Sequence, residues 1–330
     1  MDDVRQDAQV SEASPKREAR ATATRARGLP GRAASASRAT GRAPGEPRNI
    51  AYLYILPGLA AYLIFTFFPL LQTVRLSFYD WDGLSPKRWI GLDNYRELYR
   101  TPEIRGAFQH SVELILFYAI FSIVLALFLT ALLTRFKIRG FMFFRTVLFM
   151  PQTIATVVVA QAFTWIYDPS GPLNELLRTV GLGSLAKTWL GDFDWALPAV
   201  GLIGTWITFG LCMVLFLAGS QRIPSELYEA ARVDGAGFVR EFLAVTLPGL
   251  RNEIVVAATL TTITALRNFD IIYNTTAGGP GGETTVPSWL MFHNAFDLSR
   301  VGFAASIAVV LTVIITGVAL LLGSLSRRTA

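Results

Sequence analysis

Residues 195–221 read WALPAVGLIGTWITFGLCMVLFLAGSQ and contain no charged side chain. A helix that crosses the roughly 30 Å hydrocarbon core of a bilayer needs about 20 mostly apolar residues, so this stretch is long enough to span a membrane. The sequence therefore predicts a membrane-spanning segment here, the fourth of six. The others lie near 50–75, 108–134, 146–167, 253–274 and 301–325.

The composition of the chain favours lipid over water as its surroundings. Of its 330 residues, 52% are hydrophobic and only 16% are charged, and the mean hydropathy is +0.42. Within lipid a helix satisfies its own backbone hydrogen bonds, and the period-two alternation of a membrane barrel is absent. These features predict an all-α membrane protein whose membrane domain covers residues 50–330.

The first 49 residues differ in composition from the rest of the chain. They are rich in Ala, Arg, Ser, Gly and Pro, lack apolar periodicity, and carry much of the excess behind the net charge of +6. Such a segment buries too little apolar surface to offset its ordering entropy. We expect a disordered basic tail at 1–49, attracted to anionic membrane lipid. A nucleic-acid partner is not expected, because no aromatic residue is interleaved with the charges.

The distribution of Lys and Arg predicts the side of the membrane that each loop faces. An even number of spans puts both termini on one side, together with the basic tail, the 135–145 loop and the 222–252 loop. Cytoplasmic loops carry an excess of Lys and Arg. Both termini are therefore expected in the cytoplasm.

The loop between the fourth and fifth spans, residues 222–252, has the pattern of two short amphipathic helices. The first is expected to begin at Pro224 and Ser225, with the Ser225 hydroxyl as the N-terminal cap. The second is expected from about Phe238 to Thr246, because the proline that follows cannot continue the hydrogen-bond ladder. A rival interpretation is an amphipathic helix that lies on the membrane surface.

Small residues and a turn pair recur in this loop at a recognisable spacing. The residues of this pattern are Glu229, Ala230, Ala231, Asp234, Gly235, Leu247 and Pro248. The pattern resembles the EAA loop of ABC importer permeases, in which E-A-A, a glycine and a terminal L-P lie between the fourth and fifth of six spans. The Asp234-Gly235 turn pair by itself predicts a left-handed backbone at Gly235. The resemblance implies that these residues couple the chain to a cytoplasmic ATPase.

Two further segments are similar to the carbohydrate permeases of the same family. Residues 90–95, IGLDNY, look like the G-L-x-N-Y element, and residues 276–280, TAGGP, resemble the final external loop. The similarity covers most of the chain from about residue 50 and points to sugar importers of the maltose and glycerol-phosphate type. It implies a subunit of the bacterial inner membrane that forms half of the pathway for a sugar or sugar derivative. The implied partners are a second homologous permease subunit, two cytoplasmic ATPase subunits and an extracytoplasmic solute-binding protein.

The chain shows no sequence pattern for catalysis or for a bound cofactor. No lysine stands in a phosphate-binding G-x-x-x-x-G-K-[ST] loop, and the single cysteine, Cys212, excludes a cysteine zinc site. We expect no enzyme activity, no catalytic residue and no metal site, with ATP and Mg²⁺ used by the partner ATPase. An ion-coupled secondary transporter is the alternative, although that class has no use for an EAA loop.

Polar and aromatic residues gather in the fifth predicted span. Arg267 and Asp270 are three residues apart, which leaves open either a pair on one helix face or a position along the solute pathway. Sugars need hydrogen-bond partners and an aromatic platform, and this segment supplies both. The predicted pathway residues are Asn268, Phe269, Asp270, Tyr273 and Asn274.

Overall fold

The computed structural model describes residues 50–135 and 140–327. The predicted tail at 1–49 lies outside these ranges. The chain divides into two compact units, Met1–Pro57 and Gly58–Ala330, and the boundary falls within the first helix. The architecture below concerns the second unit, apart from the start of that helix.

The first half of the described chain holds two long helices and several short elements. Helix α1 comprises Ile50–Tyr62 and Phe68–Leu76 around a π turn at Leu63–Phe67. Strands β1 (Tyr79–Asp80) and β2 (Arg88–Trp89) then form an antiparallel hairpin. Helix α2 (Asp93–Arg100) follows the hairpin. Helix α3 comprises Pro102–Ile115 and Ser122–Arg135 around a π turn at Leu116–Phe121. Next come α4 (Phe141–Phe149) with a 3₁₀ turn at Met150–Thr153, α5 (Thr156–Ile166), and α6 (Pro172–Thr179).

The second half continues the helical bundle after a 3₁₀ turn at Gly183–Leu185. Its elements are α7 (Ala196–Ser220), α8 (Ser225–Val233), α9 (Phe238–Glu241, a π turn at Phe242–Thr246, then Leu247–Gly249) and α10 (Arg251–Leu266). They are followed by α11 (Asp270–Thr275), α12 (Pro287–Phe292, with a π turn at His293–Asp297) and α13 (Val301–Arg327).

Between four and six helical units of this bundle could cross a membrane. Within the described ranges, α1, α3, α7 and α13 are each long and apolar enough to do so alone, and two bent pairs raise the number to six if each pair is one span. The pairs are α4 with α5, bent by 98°, and α9 with α10, bent by 71°. The predicted all-α membrane class is confirmed, whereas the arrangement of six spans stays a prediction.

The third predicted span, 146–167, is not a continuous helix. Helix α4 passes into a 3₁₀ turn at Pro151, and the backbone is extended at Ile154 before α5 begins in a new direction. Proline lacks the N–H that would continue the ladder, and its ring crowds the preceding turn. The proline thus interrupts the hydrogen-bond ladder at the end of α4, ahead of the bend between α4 and α5.

The fifth predicted span, 253–274, is also interrupted. Helix α10 ends at Leu266, and α11 begins only at Asp270, so Arg267 and Asp270 do not lie on one helix. The carbonyl of Asn268, inside the break, accepts a hydrogen bond from the Ser288 hydroxyl at 2.6 Å. Among the described side chains no ion pair joins Arg267 to Asp270, so a pair on one helix face is wrong.

Helix α7 forms much of the buried centre of the bundle, and its glycines bring α3 close. A Cβ atom at Gly204 would overlap the ring of Tyr118, and one at Gly201 would overlap the ring of Phe117. Only glycine fits at these two positions. The aromatic rings of α3 therefore lie directly against the backbone of α7.

The π turn of α3 is held by hydroxyl groups of α7. Thr205 Oγ1 donates to the carbonyl of Phe117 at 2.9 Å, and Thr208 Oγ1 to the carbonyl of Tyr118 at 3.2 Å. A π turn shifts the backbone ladder, and an unsatisfied carbonyl in lipid costs several kcal/mol. These bonds stabilise the turn and fix the position of Tyr118.

Candidate functional site

Helix α8 opens the segment that resembles the EAA loop, residues 222–252, here called the EAA-like loop. The helix begins at Ser225 as predicted, but Pro224 occupies the N-cap position and no side chain caps the helix. The predicted cap by Ser225 is therefore wrong, because Ser225 is already inside the first turn. Glu226 lies in that turn, where the positive end of the helix dipole favours a carboxylate.

Gly235 closes α8 with a left-handed backbone, φ +75°, which confirms the conformation predicted from the Asp-Gly pair. The Ala236 N–H donates to the Ala231 carbonyl at 2.9 Å, and the Gly235 N–H donates to the Arg232 carbonyl at 3.0 Å. These are the two hydrogen bonds of a Schellman motif. The chain thereby reverses sharply after Asp234, the C-cap residue.

Helix α9 ends at Gly249, one residue beyond the predicted end at Leu247-Pro248. A π turn precedes the proline, and in it the Leu247 N–H donates to the Phe242 carbonyl. This wider turn shifts the backbone hydrogen-bond partners just before Pro248. Pro248 itself has no N–H group to donate. The helix therefore includes the proline and ends one residue after it.

An ion pair joins the two helices of the EAA-like loop. Arg232 Nε donates to Glu241 Oε2 at 2.9 Å, and Arg232 Nη2 donates to Glu241 Oε1 at 3.3 Å. The Glu241 side chain is only 9% exposed, and its hydrogen bonds raise the pKa of the Arg232 guanidinium. A second contact links the helices at the hydroxyls of Tyr228 and Thr246, 3.2 Å apart.

The outer side of α8 presents apolar side chains that the described chain leaves uncovered. Val233 is 87% exposed and Leu227 52% exposed, with Glu229 and Ala230 also at the surface. Ala231 is half-buried. Clustered exposed apolar groups with small neighbours permit close approach of another protein.

A second candidate site is a cavity of about 240 Å³ at the break between α10 and α11. Asn268, Phe269 and Asp270, all predicted pathway residues, line it together with Arg267. Tyr118 and Thr156 contribute from α3 and α5. The interruption of the fifth predicted span thus gathers the polar groups around one space.

Two residues that line this cavity each carry a buried polar atom with no hydrogen-bond partner in the described part of the chain. The atoms are the hydroxyl of Tyr118 and the side-chain amide nitrogen of Asn268. The residues are only 2% and 6% exposed, respectively. A buried polar group without a partner is costly, and a side-chain movement that exposed these atoms to the cavity would let a ligand or water bond to them.

The remaining predicted pathway residues lie away from this cavity. Tyr273 stacks on Phe269 with ring centroids 5.2 Å apart and also contacts Phe292. Asn274 donates to the Asp270 carbonyl at 2.7 Å, and its own carbonyl accepts from Gln161 at 3.2 Å. Tyr273 and Asn274 therefore do not line this cavity, and their place along the solute pathway stays a prediction.

Sequence reasoning missed Tyr118, which the structure adds to the cavity. The residue lies inside the apolar second span, between Phe117 and Ala119. Its orientation depends on Gly204 of α7, a contact between distant parts of the chain. A tyrosine inside a predicted span was a signal, but the direction of its hydroxyl could not be read from the sequence.

Comparison with known proteins defines the class. Residues 114–330 match the family described as "Binding-protein-dependent transport system inner membrane component". The chain is 38% identical over 283 residues to the probable ABC transporter permease protein YurN of Bacillus subtilis, which covers 84% of this chain and 95% of that protein. The chain therefore belongs to the family of inner-membrane permeases of binding-protein-dependent transport systems, and not to a family of enzymes.

Two further similarities agree with this membership. The chain is 34% identical over 272 residues to the trehalose/maltose transport system permease protein MalF of Thermococcus litoralis, covering 81% of this chain and 90% of that protein. Its fold matches a chain of a bacterial alginate ABC transporter, solved with an alginate pentasaccharide-bound periplasmic protein, with a TM-score of 0.73 at 23% identity. That match covers 84% of this chain and 94% of the other.

Proposed function

We propose that this chain forms half of the membrane pathway of an ATP-driven importer for a sugar or sugar derivative. A second homologous permease subunit forms the other half, two cytoplasmic ATPase subunits supply the energy, and an extracytoplasmic solute-binding protein delivers the solute. The geometry of the EAA-like loop carries the proposal. It combines the reversal at Gly235 with an exposed apolar face on α8.

The coupling step follows from that geometry. The α8 face with Leu227 and Val233 docks on an ATPase subunit, and the small residues Ala230 and Ala231 permit close approach. When ATP brings the two ATPase subunits together, α8 moves with its ATPase. The ion pair to Glu241 transmits this movement to α9 and then to α10, which opens the pathway to the other side of the membrane.

A sugar is the solute class that fits the cavity between α3 and α10. The Tyr118 hydroxyl can donate and accept, the Asn268 amide nitrogen donates, and Asp270 accepts, which together suit a polyol. Phe269 adds an aromatic surface. Relatives named for trehalose/maltose and alginate transport support the same class.

The proposal also states how the chain is oriented in the membrane and which subunits use ATP. Both termini lie in the cytoplasm, on the side of the EAA-like loop, in agreement with the Lys and Arg distribution. The chain itself binds no cofactor, and ATP and Mg²⁺ are used by the ATPase subunits.

The proposal is tested by purifying the chain from membranes together with its co-expressed neighbours. ATPase activity is measured against a panel of sugars and solute-binding proteins, and uptake is measured in proteoliposomes. We expect Val233→Asp to reduce co-purification of the ATPase. Val180→Asp is the matched control, because Val180 is 58% exposed at the end of α6, away from the EAA-like loop.

Two results would contradict the proposal. One is a chain that purifies alone and moves solute with an ion gradient, as an ion-coupled secondary transporter does. The other is equal loss of the ATPase in both valine variants, which would mean that α8 is not the docking surface.

A further inference from the structure

A groove of about 320 Å³ lies between α3 and α9. All of its described lining residues are apolar. They are Val124, Leu127, Phe128 and Ala131 on α3, and Phe238, Val239, Phe242 and Leu247 on α9. Because none of these side chains can hold water through a hydrogen bond, the groove suits an apolar occupant.

The α3 wall of the groove has the depth of one membrane leaflet. Its residues recur every three or four positions, from Val124 to Ala131, and so lie on one face of the helix. Val124 is about 15 Å along the helix axis from Thr134, where the apolar span ends. The hydrocarbon core of a bilayer is roughly 30 Å thick, so this wall extends from the membrane surface to about its middle.

The proposed orientation decides which leaflet the groove belongs to. The span that ends at Thr134 leads into the 135–145 loop, which the Lys and Arg distribution puts in the cytoplasm. Helix α9 belongs to the EAA-like loop, on the same side. The groove therefore opens in the inner leaflet.

Helix α9 combines this apolar wall with charged side chains. Glu241 bonds to Arg232 of α8, whereas Val239, which lines the groove, is 65% exposed. Arg240, the next residue, is exposed and forms no ion pair with a described side chain. An exposed guanidinium at the membrane surface is well suited to a phosphate group, to which it can donate two hydrogen bonds.

We infer that the groove binds one acyl chain of an anionic phospholipid from the inner leaflet, with its phosphate at Arg240. The inference goes beyond the proposed function and takes only the membrane orientation from it. A chain between two helices makes more dispersion contacts than a chain against the surface of one helix. The ATPase subunit fits less well, because it docks on α8 from water, whereas the α3 wall lies within the hydrocarbon.

The test counts the lipids that the intact complex keeps when it is released from nanodiscs for native mass spectrometry. The nanodiscs contain equal parts of phosphatidylcholine and phosphatidylglycerol. Val239→Trp fills the groove with an indole, and Leu243→Trp is the matched control, because Leu243 is 54% exposed on the same helix but does not line the groove. We expect Val239→Trp to lose one phosphatidylglycerol per copy of the chain and Leu243→Trp to keep it. Equal retention in the two variants would overturn the inference.

The headgroup contact is tested separately with Arg240→Gln. This variant leaves the apolar walls intact, so a lipid should still be retained. The ratio of retained phosphatidylglycerol to phosphatidylcholine should fall about fivefold, as expected for loss of one basic residue near an anionic headgroup. An unchanged ratio would overturn the assignment of the phosphate to Arg240.

A photoreactive residue in the groove identifies the occupant directly. Phe128 lines the groove and is 60% exposed. We expect p-benzoylphenylalanine in its place to cross-link to phospholipid in the assembled complex, and cross-linking to the second permease subunit or to the ATPase instead would overturn the inference. Failure of the proposed function is distinguishable, because it would abolish ATPase activity and uptake in the wild type but leave the lipid count unchanged.

Discussion

Arg232 and Glu241 bind each other through two hydrogen bonds, of 2.9 and 3.3 Å, and so fasten α8 to α9. The exposed face of α8 and the chain toward the membrane are thus connected by side chains as well as by backbone. Glu241 is nearly buried, whereas the Arg232 side chain is 54% exposed. Glu241 is therefore held in place by its burial, whereas the exposed Arg232 side chain can be displaced by a docked subunit.

Breaking this pair should uncouple ATP hydrolysis from transport. We expect Arg232→Met to lower the amount of sugar moved per ATP by about threefold or more, because α8 would move without carrying α9. The measurement is simultaneous uptake and phosphate release in proteoliposomes. The exchange Arg232→Glu with Glu241→Arg should recover part of the loss, and equal defects in single and double variants would contradict the coupling role.

Substitutions at Gly235 can distinguish a need for its left-handed backbone from a need for open space around it. A Cβ atom there meets nothing within 4 Å, but φ is +75°. Gly235→Ala should therefore cost about 1 kcal/mol through strain alone, and Gly235→Asn less, because asparagine tolerates the left-handed region. Gly106→Ala is the control, since Gly106 lies inside the helical segment Pro102–Ile115 with equally open space, and the same substitution should not destabilise the chain there.

A bulky side chain at position 235 tests the docking surface itself. Gly235→Trp should insert normally into the membrane but lose ATPase co-purification and uptake, because we propose that the ATPase subunit docks in the open space in front of Gly235. The measurement compares the amount of ATPase retained by the tryptophan and alanine variants. Equal retention would mean that only the backbone conformation matters at this position.

Features that depend on neighbouring residues were predictable from the sequence. The reversal after α8 follows from the Asp-Gly pair, because the left-handed conformation belongs to the glycine itself. The apolar runs likewise predicted α7 and α13 to within a residue or two. Both properties are set within a few positions along the chain.

Features that depend on distant contacts were not predictable. The continuation of α9 through Pro248 needs a π turn, whose shifted ladder leaves no clear mark in the residue pattern. The break after Leu266 separates Arg267 from Asp270, and the freed Asn268 carbonyl bonds to Ser288 of α12. A partner from another part of the fold decides the local backbone in that segment.

Tyr118→Phe should improve stability and impair transport together. Its hydroxyl is buried without a described partner, so removal should stabilise the sugar-free complex by about 1 kcal/mol. If the hydroxyl bonds to the sugar, the KM for uptake should rise about tenfold. Thermal unfolding and uptake kinetics measure the two effects, and a destabilised variant would show that the hydroxyl has a structural partner in the assembled complex.

Gly204→Ala on α7 should disturb the cavity that Tyr118 lines. The added methyl group would overlap the Tyr118 ring, and overpacking of this kind costs about 1–3 kcal/mol. Gly317→Ala on α13 is the matched control, because a Cβ atom there meets nothing within 4 Å. Thermal stability of the purified complex measures the difference. Combining Gly204→Ala with Tyr118→Leu should recover stability, and failure of that recovery would mean that another neighbour causes the cost.

The turn between strands β1 and β2, which contains Asp82 and Leu84, should loosen in acid. The N–H groups of Ser85 and Leu84 donate to the Asp82 carboxylate and lower its pKa below the ordinary value of 3.8. A depressed folded-state pKa stabilises the turn above pH 3.8, and that contribution is lost as the pH falls through the lower, folded-state value. Hydrogen exchange of the Leu84 and Ser85 amides, corrected for the intrinsic pH dependence, measures the effect. In Asp82→Asn the amide oxygen still accepts but cannot titrate in this range, so protection there should not vary with pH, and parallel loss in both proteins would assign the acid effect to another group.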